Sequence, residues 1–330
     1  MRILKFAAAI AAGVVALGVA AYAYFLYSPD PTPPHLSGQV QTATIQVGSR
    51  LRSYVEYIPA QLPAGAPLVI ALHGTTMDGA LMRKFTGYEF DSIADTHGFA
   101  VFYPDGYKTN WNDCLKAGAV AATLEHVDDV GFILALIGKG QSEFKIDPKK
   151  VYLVGYSNGG QLAMTLATLS PGPAASIAVF GADLPTPDNS TCSQDSRTPP
   201  IMIVGGTDDP ISPYNGGEVS IFGFQNKGTV VSAPATAEAF ARRNGIGTPP
   251  SEEMLPHRDP RDPTSVQRLT WWNQGEPYVV LYTIRGGGHT VPQPVFRYPR
   301  LLGRTTGDLD GPTQAIAFFT CNPPTVASSR

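Results

Sequence analysis

Short apolar runs alternate along the chain with stretches of helical spacing. The apolar runs, typical of buried strands, are 51–58, 67–72, 99–103, 151–154, 176–180, 201–204 and 278–284. The stretches with helical spacing are 80–97, 127–139, 160–169 and 235–244. Because apolar strands alternate with helices, the pattern predicts an α/β protein with a mostly parallel central sheet and helices on both faces.

One segment, 211–270, breaks this alternation. It contains a glycine-rich stretch at 214–231 and a proline-rich, charged stretch at 248–264. We expect part of the segment to form a wall of a substrate cleft. The aromatic residues that could bind a flat acyl or sugar ring are Trp111, Trp271 and Trp272, with Phe222 and Phe224. Packing in the core or at the rim is the alternative for each of them.

A candidate nucleophile follows the apolar run 151–154 directly. The motif is Gly155-Tyr156-Ser157-Asn158-Gly159, a G-x-S-x-G sequence between a predicted strand and a predicted helix. Such a turn strains the serine backbone and exposes its hydroxyl at the carboxyl edge of a sheet. A serine that merely caps the helix is the alternative reading of the motif alone.

A serine hydroxyl needs a base that accepts its proton and an acid that orients the base. Two histidines come after Ser157 in the chain. His289 follows the strand 278–284 and a run of three glycines, which is typical of a loop at the carboxyl edge of a sheet. His257 lies in a charged, proline-rich stretch that predicts an exposed loop. His289 is therefore the candidate base.

Two adjacent carboxylates could supply the acid. Asp208 and Asp209 follow the strand 201–204, and either could reach His289 from a loop. Asp209 precedes Pro210, which restricts its backbone to extended conformations. We favour Asp209, while Asp208 stays open as the alternative.

Two backbone N–H groups are candidates for an oxyanion hole. One belongs to Asn158, the residue after the nucleophile, and the other to Thr75, in the loop after the strand 67–72. His73, in the same loop, is interpreted as a structural histidine rather than a second base. The absence of any role for His73 is the alternative.

With these groups in this order, the chain resembles the polyhydroxybutyrate depolymerase and feruloyl esterase group of α/β-hydrolases, which is similar to carbohydrate esterase family 1 and includes acetyl xylan esterases. The matching stretches are 72–74, 103–106, 111–113, 127–132, 155–160, 209–217 and 286–289. The resemblance implies an α/β-hydrolase fold, a triad of Ser157, Asp209 and His289, and esterase activity without a cofactor or metal. The chain departs from the family at Gly205, where a histidine is common, and at Thr75, where some members have cysteine.

The charge composition argues against nucleic acid as a partner. The chain has 330 residues with 24 basic and 27 acidic side chains, a formal net charge of −3. This balance offers no basic field for nucleic acid. The three cysteines, Cys114, Cys192 and Cys321, lack metal-site spacing, and we expect one disulfide, between Cys192 and Cys321, and one free thiol.

The N-terminus differs in character from the rest of the chain. In residues 1–27, Arg2 and Lys5 precede an apolar run, which predicts an export signal or, if it is not cleaved, a membrane anchor. Residues 28–35 form a proline-rich spacer and 36–330 the catalytic domain. We expect a secreted or periplasmic protein, or a membrane-anchored one with its body outside the cytoplasm, so that a membrane is a partner only in the uncleaved form.

The function predicted from the sequence is that of an exported serine carboxylesterase. Its substrate would be a small-molecule, oligomeric or polymeric ester, either a hydroxyalkanoate or a feruloyl or acetyl ester. The alternatives are a catalytically inactive binding protein on a hydrolase fold and an amide or peptide hydrolase. Retention of all three triad side chains argues against the binding protein, because a binder has no need of them.

Overall fold

The computed structural model describes residues 2–169, 172–192 and 197–322. Its strands are β1 (Gln39–Val47), β2 (Arg50–Ile58), β3 (Leu68–Leu72), β4 (Ala100–Pro104), β5 (Val151–Tyr156), β6 (Ser176–Phe180), β7 (Ile201–Gly206), β8 (Gly217–Ser220), β9 (Asn226–Val230), β10 (Ser251–Met254), β11 (Ser265–Asn273) and β12 (Glu276–Arg285). Its α-helices are α1 (Arg2–Ala21), α2 (Gly79–Phe85), α3 (Glu89–His97), α4 (Ala121–Leu124), α5 (Asp129–Phe144), α6 (Asn158–Ala167), α7 (Ala233–Arg243) and α8 (Gly311–Cys321). A π-helix spans Tyr22–Leu26, and short 3-10 helices span Pro187–Asn189 and Arg300–Leu302.

Ten of these strands form one sheet, in the order β1-β2-β4-β3-β5-β6-β7-β12-β11-β10. The six strands from β4 to β12 in this order run parallel, and the strands at both edges pair antiparallel. The central strands are apolar throughout because both of their faces are covered. The predicted mostly parallel sheet is therefore confirmed.

Helices cover both faces of the sheet, as predicted. On β3, Ile70 packs into a core layer beneath α5, α6 and α7, and its neighbour Val69 packs into a second layer beneath α2, α3 and α8. Both side chains are almost completely buried. The alternation follows from the strand geometry, in which successive side chains point to opposite faces.

The candidate site residues follow four parallel strands of the sheet. Thr75 follows β3, Ser157 follows β5, Asp209 follows β7 and His289 follows β12. Because these strands are parallel, their carboxyl ends lie at the same edge. Segments that are distant in the chain thus meet above the middle of the sheet.

The segment 211–270 contains more regular structure than its composition suggests. It forms a separate two-stranded hairpin, β8–β9, then α7, and then two strands that extend the edge of the main sheet. The three tryptophans differ in burial. Trp111 is completely buried, Trp271 is buried on β11, and Trp272 is 46% exposed with its Nε1 donating to Ser251 Oγ at 2.9 Å.

The disulfide differs from the expected one. Cys114 is bonded to Cys192, and Cys321 is an exposed free cysteine at the end of α8. The prediction of a Cys192–Cys321 pair was wrong. The spacing of three isolated cysteines carries no information on pairing, which depends on which loops the fold brings within bonding distance.

The N-terminal segment is helical before the spacer. Among residues 2–169, 172–192 and 197–322, no helix combines the length and apolar character needed to cross a membrane. The proline-rich stretch after it contacts α2, since Lys84 Nζ donates to Asp30 Oδ1 at 2.6 Å.

Candidate active site

Ser157 lies at a strained turn between β5 and α6. Its backbone has φ of 52° and ψ of −119°, a conformation that a non-glycine residue rarely adopts. The Ser157 N–H donates to Phe180 O at 2.9 Å, which ties the turn to the end of β6. Gly159 allows α6 to approach β3, because an added Cβ would lie 2.3 Å from Leu72 O. This is the geometry that a nucleophilic serine requires.

Asp209 and His289 form a buried pair. Asp209 Oδ2 lies 2.6 Å from His289 Nδ1, and both side chains are only 2% exposed. The other carboxylate oxygen accepts the N–H groups of Ile211 and Ser212, each at 2.8 Å. Asp209 is therefore oriented by its own loop toward the imidazole, an arrangement that fixes the tautomer of a catalytic histidine.

The backbone and ring of His289 are also held in place. Its N–H donates to Leu302 O at 2.7 Å, and the hydroxyl of Tyr156 donates to its carbonyl at 2.9 Å. Gly181 lies directly beside the ring, because a Cβ there would be 2.8 Å from His289 Cε1 and 3.7 Å from Asp209 Oδ2. Gly181 follows Phe180, whose carbonyl accepts from the Ser157 N–H, so the end of β6 contacts both the Ser157 backbone and the Asp209–His289 pair.

The alternative residues lie elsewhere. His257 Nδ1 is 2.7 Å from Asp308 Oδ2, and its side chain is partly exposed. Asp208 accepts a hydrogen bond from the neighbouring Thr207 hydroxyl and has no contact with His289 within hydrogen-bonding distance. The structure thus brings together Asp209 and His289, and not Asp208 or His257.

The two candidate oxyanion donors, Thr75 and Asn158, line one pocket with Ser157. Within the part of the chain that the structure describes, neither backbone N–H donates to a protein group. The Asn158 side chain is fixed on both sides, since its Oδ1 accepts from Trp111 N at 2.8 Å and its Nδ2 donates to Asp113 Oδ2 at 2.5 Å. One free N–H at the start of α6 and another in the loop after β3 are suited to a developing oxyanion.

His73 stabilises the loop that carries Thr75. Its Nε2 accepts from Gly106 N at 2.8 Å, and its Nδ1 lies 2.7 Å from Gly74 O. Burial lowers the pKa of His73 to about 4, so the ring is neutral at physiological pH. These contacts agree with the structural role inferred from the sequence.

The sequence is similar to a known hydrolase family and to named esterases and depolymerases. The sequence pattern of the Dienelactone hydrolase family matches residues 82–244. A protein of Nocardia uniformis subsp. tsuyamanensis named as an esterase, NocK, is 29% identical over 304 residues, which cover 89% of this chain and 86% of the relative. Poly(3-hydroxyalkanoate) depolymerase C of Paucimonas lemoignei is 26% identical, and the alignment covers 72% of this chain and 58% of the depolymerase.

The chain is an esterase-type α/β-hydrolase. The fold has a solved counterpart in the acetyl xylan esterase from Aspergillus awamori, which superimposes with a TM-score of 0.59 at 17% identity. That match covers 86% of this chain and all of the other. The chain is thus a carboxylic ester hydrolase, as the sequence predicted.

The pocket of this esterase is narrow and mostly apolar. It holds about 370 Å³ of empty space, including its open mouth. Its lining residues are Thr75, Leu115, Ser157, Asn158, Gln161, Gly181, Ile211, Ser212, Val219, Ile221 and Lys227. Trp111, Trp271 and Trp272 are not among them. Trp111 instead donates from Nε1 to His73 O at 2.8 Å, beneath the pocket floor, so its burial argues against substrate contact.

Three buried side chains near the site have shifted pKa values. Burial raises the pKa of Asp113 to about 6, although the Leu115 N–H opposes the shift. Burial raises the pKa of Asp183, just after β6, to about 8. Burial also lowers the pKa of Lys227, against the attraction of Asp113. In each case burial disfavours the charged form of the side chain.

Sequence reasoning missed residues that the fold brings to the site from several loops. They are Gly181, Asp113 as a partner of Asn158, and Lys227. Asp113 does belong to the stretch 111–113 that resembles the family, which was the one available signal. Lys227 belongs to the segment 211–270, part of which was expected to form a wall of the substrate cleft, but no local signal distinguished this lysine from its neighbours.

Proposed function

We propose that the protein is an exported serine carboxylesterase with Ser157 as nucleophile, His289 as general base and Asp209 as its orienting acid. The observation that carries the proposal is the buried 2.6 Å contact between Asp209 and His289, packed against the segment that also bonds Ser157. A buried carboxylate in this position stabilises the imidazolium that forms when the histidine accepts a proton.

The chemistry proceeds in two steps. His289 accepts the Ser157 proton as the hydroxyl oxygen attacks the ester carbonyl, and the N–H groups of Thr75 and Asn158 stabilise the resulting oxyanion. The tetrahedral intermediate collapses to an acyl-enzyme, and the alcohol leaves with the proton from His289. Water, activated by the same histidine, then releases the acid and regenerates Ser157.

The substrate class is a short or soluble ester, either a hydroxyalkanoate oligomer or an acetyl or feruloyl ester. The enclosed part of the pocket has a volume of about 30 Å³, well below the roughly 300–1,000 Å³ usual for small-molecule sites. This size and the apolar side chains of Leu115, Ile211 and Ile221 favour small acyl groups. The names of relatives support both a depolymerase-type and an acetylxylan-type substrate.

Export is supported by two observations. Arg2 and Lys5 precede an apolar segment, and Cys114 is bonded to Cys192. Disulfides persist in oxidising compartments outside the cytoplasm. Cell fractionation and N-terminal sequencing of the mature protein test this part, and a cytoplasmic protein with reduced cysteines would contradict it.

The mechanism is tested on the purified full chain with 4-nitrophenyl acyl esters, methyl ferulate and 3-hydroxybutyrate oligomers. We expect Ser157→Ala to abolish turnover and Asp209→Asn to lower kcat by about 10⁴-fold. Asp208→Asn is the matched control, because Asp208 is adjacent in sequence but does not contact His289. Full activity of Ser157→Ala, or equal losses in the two aspartate variants, would refute the assignment. A 4-nitroanilide series tests the amide hydrolase alternative in the same assay.

A further inference from the structure

Lys227 is a buried cation in the pocket of the candidate nucleophile. It lies on β9 and is only 5% exposed. It lines the pocket together with Ser157 and Asn158. Among the described residues that line this pocket, Lys227 has the only charged side chain. The hairpin that carries it belongs to the segment that interrupts the α/β alternation.

The ammonium group has no direct partner in the part of the chain that the structure describes. Lys227 Nζ takes part in no hydrogen bond there and in no ion pair within 4.0 Å, and its electrostatic attraction comes from Asp113. The Asp113 carboxylate is already occupied, since Oδ1 accepts from Leu115 N at 2.9 Å and Oδ2 from Asn158 Nδ2 at 2.5 Å. An ammonium group without a protein partner at the wall of a pocket is available to a charged group of a ligand. Lys227 also lines a second pocket, together with Gly118 and Asn226.

The lysine is also held in position before any ligand binds. Its backbone carbonyl accepts from Asn189 Nδ2 at 3.0 Å. Its stem packs against Gly118, where an added Cβ would lie 2.8 Å from Lys227 Cδ. A fixed donor loses little entropy when it binds a charged group, and this arrangement therefore favours specificity for such a group.

We infer that Lys227 is a specificity-determining residue that binds a carboxylate carried by the ester substrate. This inference rests on the proposed function, because it assigns the substrate class of the same site. One ammonium among apolar side chains matches a single negative charge. A phosphate dianion carries twice the charge that this one lysine can balance. Esters with a free acid group, such as hydroxyacid oligomers, fit this requirement.

The test compares esters that differ only in charge. One pair varies the alcohol side, 3-acetoxybenzoate against 3-acetoxybenzamide. The other varies the acyl side, mono-4-nitrophenyl adipate against the 4-nitrophenyl ester of adipamic acid. Each neutral amide has nearly the shape of the carboxylate it replaces. The variant is Lys227→Met, which keeps the length of the stem and removes the charge, with Lys227→Arg as the charge-retaining control.

We expect the wild-type enzyme to prefer the carboxylate in at least one pair. In Lys227→Met, kcat/KM for that carboxylate should fall by about 10- to 100-fold, chiefly through KM, because a charge-assisted hydrogen bond is lost. The matched amide should change less than about threefold, and Lys227→Arg should retain part of the preference.

Three results would overturn the inference. One is a wild-type preference for the amide in both pairs, which needs no variant and holds even if Lys227→Met fails to fold. The others are equal losses on both members of each pair and no change on any of them. Ser157→Ala, measured in parallel, separates failure of the proposed function from failure of this inference. If Ser157→Ala stays active, the proposed function is wrong. If Ser157→Ala is inactive but Lys227→Met loses activity equally on carboxylate and amide, only this inference is wrong.

Discussion

The Cys114–Cys192 disulfide gives a prediction that links stability to the site. The bond closes a loop with a sequence separation of 78 residues. In the chain-entropy account, a loop of this length restricts the unfolded state by about 4.5 kcal/mol, toward the upper part of the usual range. We therefore expect the double variant Cys114→Ala/Cys192→Ala to lose about 4 kcal/mol of unfolding free energy, measured by urea denaturation with linear extrapolation.

The same variant should also lower activity in the absence of urea. Cys114 follows Asp113, whose carboxylate accepts from the Asn158 side chain at 2.5 Å. Without the disulfide, this loop loses a constraint, and the N–H of Asn158 is less firmly aimed at the oxyanion. We expect kcat for 4-nitrophenyl acetate to fall by about tenfold or more, since losing an oxyanion donor completely costs 100-fold or more.

Cys321→Ala is the control for both measurements. Cys321 is exposed and outside the disulfide, so its replacement should change the unfolding free energy by less than about 0.5 kcal/mol. The reasoning is refuted if the double variant loses less than about 1 kcal/mol, or if its activity matches that of Cys321→Ala while it remains folded.

Two further substitutions test the surroundings of the site. Gly181→Ala should lower kcat by about 100-fold, because the new Cβ would lie 2.8 Å from the His289 ring and displace it. Gly275→Ala is the control, since Gly275 also has positive φ but has open space around it. Comparable losses of kcat in both variants would contradict this steric explanation. Burial raises the pKa of Asp183 from 3.8 to about 8, so the folded state binds this proton more tightly than the unfolded state does. The contribution of Asp183 to the unfolding free energy therefore falls as the pH rises between these two values. Urea unfolding at pH 5 and pH 8 should therefore show a smaller decline for Asp183→Asn than for the wild type, and parallel declines would show that Asp183 does not titrate in this way.

Local patterns were sufficient for much of the fold. The runs 151–154, 176–180 and 201–204 correspond to β5, β6 and β7, since strands buried on both faces are apolar at every position. Two local features were less well predicted. The stretch 80–97 divides into α2 and α3 around Tyr88, which has φ of 60°, and β1 was missed because its residues are largely exposed.

The sequence by itself determined the order of the central strands and the helices between them. It also indicated the candidate residues Ser157, Asp209 and His289, because each follows a predicted strand closely. Only the tertiary structure decided that Trp111 is completely buried, that Cys114 pairs with Cys192, and that Lys227 lines the pocket of Ser157. The physical reason is that strand periodicity and turn chemistry act between neighbouring residues. Burial and side-chain partners depend instead on which distant loops the parallel sheet gathers at its carboxyl edge.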